Sequence, residues 1–271
     1  MKYFQMAFFA VFLFAMACGT RPNPSSDENE DIARAYKLID RDRPQEAIDL
    51  LEPRLKTNPK RLVLKTALAS AYASRAGIRV PRYAPLVIEL MKTGLQPDPE
   101  TESLVVTRLR GLNIGSLREE QAKRALSDVF AFADLIRRFD RLPDIEDERE
   151  PDLARARELL EDVPEGDRGV RLYRAVLGAI DVRYSLKRRL VPAHFTAKRG
   201  SSCEVELKPL LKDISAVAER VAQVGRDLEA AMPEQLGRSA EYLNELNLIA
   251  GKINEAMAAI DFEPRVTWEC E

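Results

Sequence analysis

The chain has 271 residues, of which 32% are charged, yet its formal net charge is only −2. That balance excludes a dedicated nucleic-acid-binding protein, which would carry a clear basic surplus. Aromatic residues make up 7% of the chain and glycines number 12, whereas Ala, Leu, Glu and Arg dominate. This composition favours helices. The sequence therefore predicts an all-α fold, in which short stretches around Val205 and Val266 are at most edge strands.

Residues 1–17 have the charged start, short apolar middle and small-residue end of a secretory signal peptide. The apolar run is shorter than the roughly 20 residues that span a membrane. The sequence AMAC at residues 15–18 resembles the bacterial lipobox, although Ala15 stands where Leu is usual. The resemblance implies that Cys18 becomes the lipidated amino terminus. An ordinary secretory cleavage and a cytosolic protein with an apolar start are the alternatives.

The residues after Cys18 bear on where the protein is anchored. Gly19, in place of Asp, favours the outer membrane under the usual Gram-negative sorting rule, with the body of the protein in the periplasm. Residues 18–30 are rich in Pro, Ser, Asn and acids and have no apolar pattern, which predicts a flexible tether. The membrane partner is then the lipid on the amino terminus.

The other two cysteines, Cys203 and Cys270, flank two apolar runs that have helical spacing. The first is a heptad seam of Leu210, Ile214, Val217, Val221, Val224 and Leu228, and the second comprises Leu243, Leu246, Ala250, Ile253, Met257 and Ile260. Pro233 interrupts the helix between them. We expect a long antiparallel hairpin whose two ends meet.

This hairpin predicts a disulfide between Cys203 and Cys270, because disulfides persist in exported proteins. The bond would close a loop of about 66 residues and stabilise the fold by roughly 4 kcal/mol. Two free thiols, or a link to another chain, are the alternatives. Two distant cysteines and one histidine lack the ligand spacing of a zinc site. No metal and no cofactor are therefore expected.

The segment from Ile32 to Gly77 contains an internal repeat. Ala35 and Leu38 recur 34 residues later as Ala69 and Tyr72, with Ala47, Leu51 and Pro59 between them. This pattern resembles the tetratricopeptide repeat, which implies stacked helical hairpins that bury their apolar faces on their neighbours. The resemblance covers one unit and the first helix of a second, Leu62 to Ala76. It then departs at IRVPRYAP, residues 78–85, so the partner helix of the second unit is expected to be displaced or remodelled.

The rest of the chain predicts further helices. They cover Leu86 to Gly94, Glu100 to Leu112, Leu117 to Phe139, Leu153 to Leu160 and Val170 to Leu190. Residues 143–152 are expected to form a charged, solvated linker. It would separate a helical domain that resembles the tetratricopeptide repeat, residues 31–142, from a carboxyl-terminal helical region, residues 153–271, that ends in the hairpin.

No catalytic constellation is evident in the sequence. His194 is the only histidine and has Ser201 and Ser202 nearby, but no nucleophile-elbow pattern surrounds these serines. We interpret His194 as a loop residue and expect no enzyme. A basic helix end comprises Arg183, Lys187, Arg188 and Arg189. It fits either an anionic partner or the ordinary preference for cations at a helix carboxyl end.

Two functions fit these features. The favoured one is a membrane-tethered helical-repeat protein of the bacterial cell envelope that acts as a scaffold for an envelope protein or peptide. Its candidate binding residues are Lys37, Arg41, Tyr72, Arg75 and Arg79, of which Tyr72 also fits a core position. The alternative is a periplasmic small-ligand-binding accessory lipoprotein. This alternative rests on the stretch LASAYASRAG, residues 68–77, which is similar to tetratricopeptide-repeat accessory components of solute uptake systems.

Overall fold

The computed structural model describes residues 26–92, 139, 141–162, 167–195, 204–234, 248, 251–252, 254–255 and 265–267. Over these residues the fold is all-α apart from one pair of three-residue strands, which confirms the predicted fold class. The signal peptide, Cys18, Cys203 and Cys270 lie outside the described residues. So do nearly all of the two helices predicted between Glu100 and Phe139 and most of the second half of the hairpin.

The described residues form a series of helices and two short strands. The helices are α1 (Ser26–Asp40), α2 (Pro44–Thr57), α3 (Leu62–Arg75), α4 (Val80–Lys92), α5 (Glu150–Glu158), α6 (Arg168–Tyr184), α7 (Val191–His194) and α8 (Leu207–Ala231). A 3₁₀ turn, Asp147–Arg149, precedes α5, and a π-helical segment, Ser185–Leu190, joins α6 to α7. The strands are β1 (Glu204–Glu206) and β2 (Arg265–Thr267).

The first three helices pack closely on one another. Helix α1 contacts both α2 and α3, α2 contacts α3, and α3 also contacts α5. Ala35, Ala47 and Ala69 have no exposed surface, so their small side chains let the helix backbones approach. Gly77, two residues after the end of α3, has a φ of 82°, which is a left-handed conformation. The Ile78 N–H then donates to the Ala73 carbonyl at 2.8 Å and closes the helix end.

Helix α1 begins earlier than the sequence predicted. Residues 26–30 were assigned to the flexible tether, but they form its first turns. Asp27 and Glu28 stand in the first turn, where the helix dipole favours acids. Glu28 is only 8% exposed, and its carboxylate accepts a 2.7 Å hydrogen bond from Arg61. This tertiary partner, 33 residues away, fixes the start of the helix.

Helix α4 also begins earlier than predicted. It starts at Val80 rather than Leu86, so most of the irregular stretch at residues 78–85 is helical. Pro81 stands in the first turn, where the missing N–H costs no helical hydrogen bond. Val80, Ala84 and Val87 are buried and recur with helical spacing. Burial of this face offsets the cost of Pro85 inside the helix.

The predicted charged linker is packed in part. Ile145 is buried, and Asp144 lies 2.6 Å from Lys187 in an ion pair. Residues 146–149 are exposed, as a solvated segment would be. The last residues assigned to the linker, Glu150 to Asp152, already belong to α5.

The chain divides into two compact units. Among the described elements, the first unit holds α1 to α3, the start of α4, α5, the start of α6 up to Leu177, and α8 from Asp227 onward. The second unit holds the rest of α6, the π-helical segment, α7, the strands and α8 up to Arg226. The chain passes from the second unit to the first after Asp144, inside the predicted linker.

The π-helical segment has a local cause. The Val191 N–H donates to the Leu186 carbonyl five residues earlier, instead of four. Pro192 follows and has no N–H with which to continue the α-helical pattern. The regular pattern resumes where the Phe195 N–H donates to the Val191 carbonyl at 2.8 Å.

Helix α8 confirms the predicted heptad seam, since all six of its seam residues are buried. Val205 of β1 pairs with Val266 of β2 in an antiparallel ladder. Further along α8, the Ser215 hydroxyl donates a 2.6 Å hydrogen bond to the side-chain carbonyl of Asn254. Among the helices of the described segments, none is long and apolar enough to cross a bilayer.

Candidate functional site

Two of the five predicted binding residues are used inside the fold. Tyr72 is 9% exposed, and its hydroxyl donates a 2.6 Å hydrogen bond to Glu52. The Arg75 guanidinium lies 5.0 Å from the Tyr72 ring centroid and donates from Nε and Nη2 to both carboxylate oxygens of Asp152, at 2.8 and 2.5 Å. Burial raises the pKa of Tyr72, and the Glu52 hydrogen bond raises it further. Both side chains hold helices together.

The other three predicted binding residues lie on exposed surface. Lys37 and Arg41 are one helical turn apart, and the described residues provide no ion pair for either. Arg79 lies 3.6 Å from Asp42, with both side chains mostly exposed, so this contact contributes little to stability. The structure thus brings together only Tyr72 and Arg75 of the predicted set.

A different polar cluster joins three helices of the first unit. It comprises Tyr36 of α1, Ser70 of α3 and Tyr173 of α6, which we name the Tyr-Ser cluster. Burial raises the pKa of Tyr173 and of Tyr36, and in both cases the Ser70 hydroxyl partly offsets that increase. The Ser70 hydroxyl thus lies near both phenols. All three residues keep part of their surface exposed.

Helix α3 carries hydroxyls on successive turns. Thr66 donates to the Leu62 carbonyl at 2.8 Å, and Ser70 donates to the Thr66 carbonyl at 2.9 Å. Such bonds to the preceding turn slightly destabilise a helix. Because the Ser70 hydrogen is donated backwards, its oxygen is left to accept from another group.

The Tyr-Ser cluster was missed because the sequence analysis looked for charged side chains. A signal for two of its members was present: Tyr36 and Ser70 are 34 residues apart, which is the offset of the internal sequence repeat. Tyr173 had no such signal. Only the packing of α6 shows that it belongs with them.

The first unit also contains a buried ion cluster. Asp227 of α8 is 1% exposed and accepts from Arg171 at 3.0 Å and from Nε of Arg174 at 2.7 Å. A second nitrogen of Arg174 also bonds this carboxylate. The remaining Arg174 nitrogen donates to the Glu161 carbonyl at 2.8 Å, just after α5. One arginine thus joins the end of α5 to α6 and α8.

The second unit contains a related ion pair between α6 and α8. Here the acid, Asp181, is on α6 and the arginine, Arg220, is on α8. Asp181 and Ser185 are buried, and both accept from the same nitrogen, Nη1 of Arg220, at 3.0 and 2.6 Å. Nearby, Lys187 and Arg188 of the predicted basic end both contact Asp144, at 2.6 and 3.2 Å. These contacts neutralise part of that basic surface.

His194 has a partner that the sequence did not predict. Its Nε2 lies 2.7 Å from Oδ2 of Asp213 on α8. Ser201 and Ser202 lie outside the described residues, so no nucleophile can be placed beside this pair. Within the described segments, no group of three or more metal-ligating side chains comes together.

The chain matches no family model, no curated protein and no solved structure. The chemistry of its own residues therefore has to carry any assignment of function.

Proposed function

We propose that this protein is a lipid-anchored, helical-repeat scaffold of the bacterial cell envelope that binds a protein or peptide. The observation that carries the proposal is the Tyr-Ser cluster. Tyr36 and Ser70 stand 34 residues apart on neighbouring helices and lie near Tyr173, and each of the three residues keeps part of its surface exposed.

The packing of the first hairpins supports a repeat architecture. In helical repeats, a unit that cannot bury its apolar face alone stacks it on the next unit. Helix α1 packs on α3, one period later, as well as on its own partner α2. The equivalent alanines, Ala35 and Ala69, are both fully buried. The same positions thus perform the same packing role in two successive units.

The composition of the Tyr-Ser cluster suits recognition of a polypeptide. Tyrosine supplies a large, rigid contact area together with a hydrogen-bonding hydroxyl, and serine supplies adaptable hydrogen bonds. Tyr36, Ser70 and Tyr173 carry no charge at neutral pH. We therefore expect binding that depends only weakly on salt.

The contacts of α8 support the proposed carboxyl-terminal hairpin. The β1 and β2 pairing and the hydrogen bond from Ser215 to Asn254 both bring the returning chain alongside α8 in an antiparallel sense. Glu204 and Thr267 are opposite each other at one end of the ladder. Cys203 adjoins the first and Cys270 follows the second by three residues, which favours the proposed disulfide.

A photocrosslinking experiment in the native envelope tests the scaffold function. We would replace Tyr36 by the photoreactive residue p-benzoylphenylalanine and identify its crosslinked products by mass spectrometry. Tyr83 on α4 is the matched control, because it lies in the same unit but outside the cluster. We expect a defined protein adduct from position 36 and none from position 83.

The same experiment separates the two candidate functions. The hydroxyls of the cluster also suit a small polar ligand, which favours the accessory-lipoprotein alternative. A small molecule that co-purifies with the protein, together with no protein adduct at position 36, would replace the scaffold proposal by that alternative. Equal crosslinking at positions 36 and 83 would remove the Tyr-Ser cluster from the binding surface.

A further inference from the structure

The second unit holds one arginine whose best hydrogen-bonding edge has no partner in the described chain. The Nε and Nη2 groups of a guanidinium point the same way along one edge, which matches two oxygens of a carboxylate or phosphate. In Arg220 these two groups make no hydrogen bond or ion pair with any described residue, because both of its bonds come from Nη1.

Other arginines of this chain show how that edge is normally used. Arg75 directs Nε and Nη2 to Asp152, and Arg174 directs the same two groups to Asp227. In both cases an internal carboxylate occupies the edge. Arg220 differs because its carboxylate, Asp181, binds at Nη1, and no described residue occupies the Nε and Nη2 edge.

Arg220 is also held in place and accessible. Asp181 and Ser185 are buried and fix Nη1, whereas 35% of the Arg220 side chain is exposed. Holding the guanidinium in advance reduces the entropy lost when a ligand binds. A surface arginine without buried partners would lack this preorganisation.

The segment that holds Asp181 and Ser185 is basic. Residues 181–190 contain four cationic side chains, Arg183, Lys187, Arg188 and Arg189, and one acid, Asp181. Asp144 contacts two of these cations, Lys187 and Arg188.

We propose that Arg220 is the centre of an oxyanion-binding site that takes a phosphate or carboxylate group of a ligand on its Nε and Nη2 edge. Asp181 and Ser185 are positioning residues that hold the guanidinium. The site lies in the second unit and does not depend on the scaffold function of the Tyr-Ser cluster.

Side-chain NMR of arginine tests the site directly. The chain with Cys18→Ser, purified after export, is titrated with sodium phosphate or sodium acetate at constant ionic strength. We expect the Nε–H resonance of Arg220 to shift and saturate in the millimolar range, while that of Arg75, whose edge is filled, stays unchanged. Arg220→Lys assigns the resonance by its disappearance. Shifts that grow linearly without saturation would exclude free phosphate and acetate as the ligand and leave the vesicle experiment to decide.

A series of variants measures how much the Nε and Nη2 edge of Arg220 contributes to phosphate binding. Arg220→Lys keeps the charge but removes the paired donors, so phosphate binding should weaken by about tenfold. Arg226→Lys on the same helix is the matched control and should bind as the parent does. Circular dichroism melting verifies that each variant is folded. A folded Arg220→Lys variant with unchanged affinity would contradict the proposal.

Vesicles distinguish the two sources of the oxyanion. Sedimentation with phosphatidylglycerol vesicles that is lost in Arg220→Lys, without saturable binding of free phosphate or acetate, would assign the site to a lipid head group. Saturable binding of either free anion would assign it to a soluble ligand. Phosphatidylcholine vesicles are the neutral control, and the absence of Arg220-dependent binding in every arm would refute the site.

Discussion

Asp227 is the buried carboxylate on which two arginines of the first unit depend. Its charge compensates Arg171 and Arg174, whose side chains are only 13% and 15% exposed. Removing one partner of such a pair lowers the stability by more than the pair contributes to it, because the remaining charge stays buried without compensation.

Asp227→Asn keeps the shape of the side chain and removes its charge. We expect the free energy of unfolding to fall by about 3–5 kcal/mol. Asp213→Asn is the control, because Asp213 is half exposed in its pair with His194 and its loss should cost less than about 1 kcal/mol. Urea denaturation measures both. Equal midpoints for the two variants would contradict the assigned role of Asp227.

The Tyr-Ser cluster predicts a loss of stability at alkaline pH. Burial raises the pKa of Tyr173 and Tyr36 in the folded protein, so the unfolded chain loses these phenolic protons first. Stability is therefore full below about pH 10 and falls above it, by up to about 1.4 kcal/mol per pH unit for each phenol.

Tyr173→Phe should reduce this alkaline slope, whereas Tyr83→Phe, outside the cluster, should leave it unchanged. Denaturant melts between neutral pH and the onset of general alkaline unfolding measure the slope. A slope in Tyr173→Phe as steep as in the parent would show that burial of this phenol does not contribute.

At the level of elements, the contacts around the buried alanines of α1, α2 and α3 leave no room for larger side chains. Ala69→Leu should overpack the contact of α3 with its neighbours and destabilise the fold by about 1–3 kcal/mol. Ala33→Leu on the exposed face of α1 is the matched control and should change stability by less than about 0.5 kcal/mol. Thermal melts compare them, and an unchanged melting temperature for Ala69→Leu would place Ala69 outside the core.

The sequence predicted an element correctly where a single periodic pattern determines the structure. The heptad spacing from Leu210 to Leu228 predicted α8 and its buried face. The start of α4 was missed because Pro81 and Pro85 suggested a break, although a proline in the first turn fits a helix. The start of α1 was missed because its fixing partner, Arg61, is distant in sequence.

For the candidate sites, the limit of sequence analysis was long-range pairing. Tyr72 and Arg75 could be selected as polar side chains on a repeat, but the sequence did not show that Glu52 and Asp152 occupy them. The repeat offset could have indicated Tyr36 and Ser70. Nothing in the sequence indicates which edge of Arg220 its buried partners use.

At the scale of the whole molecule, the proposed anchor predicts a change of fractionation. Cys18→Ser removes the site of lipidation, so the protein should move from the detergent phase to the aqueous phase of a Triton X-114 partition. Cys203→Ser, which leaves Cys18 intact, is the control and should stay in the detergent phase. Retention of Cys18→Ser in that phase would reject the lipoprotein assignment.

The proposed bridge between Cys203 and Cys270 predicts a redox-dependent stability. Reduction should lower stability by roughly 4 kcal/mol on the chain-entropy model, because the unfolded chain regains the freedom of the closed loop. Melting with and without reductant measures this, and the Cys203→Ser variant should not respond to reductant. Two alkylatable thiols in the untreated protein would exclude the bridge.

The π-helical segment Ser185–Leu190 has a consequence for relatives of this chain. A π turn contains one residue more than the α-helical turn that it replaces. Deleting one residue there would remove the extra residue and restore a regular α-helical turn, so the residues after it would keep their orientation. His194 would then still lie beside Asp213. Homologues with a one-residue gap in this segment should therefore retain the histidine and the aspartate together, because the partner contact does not depend on the extra residue.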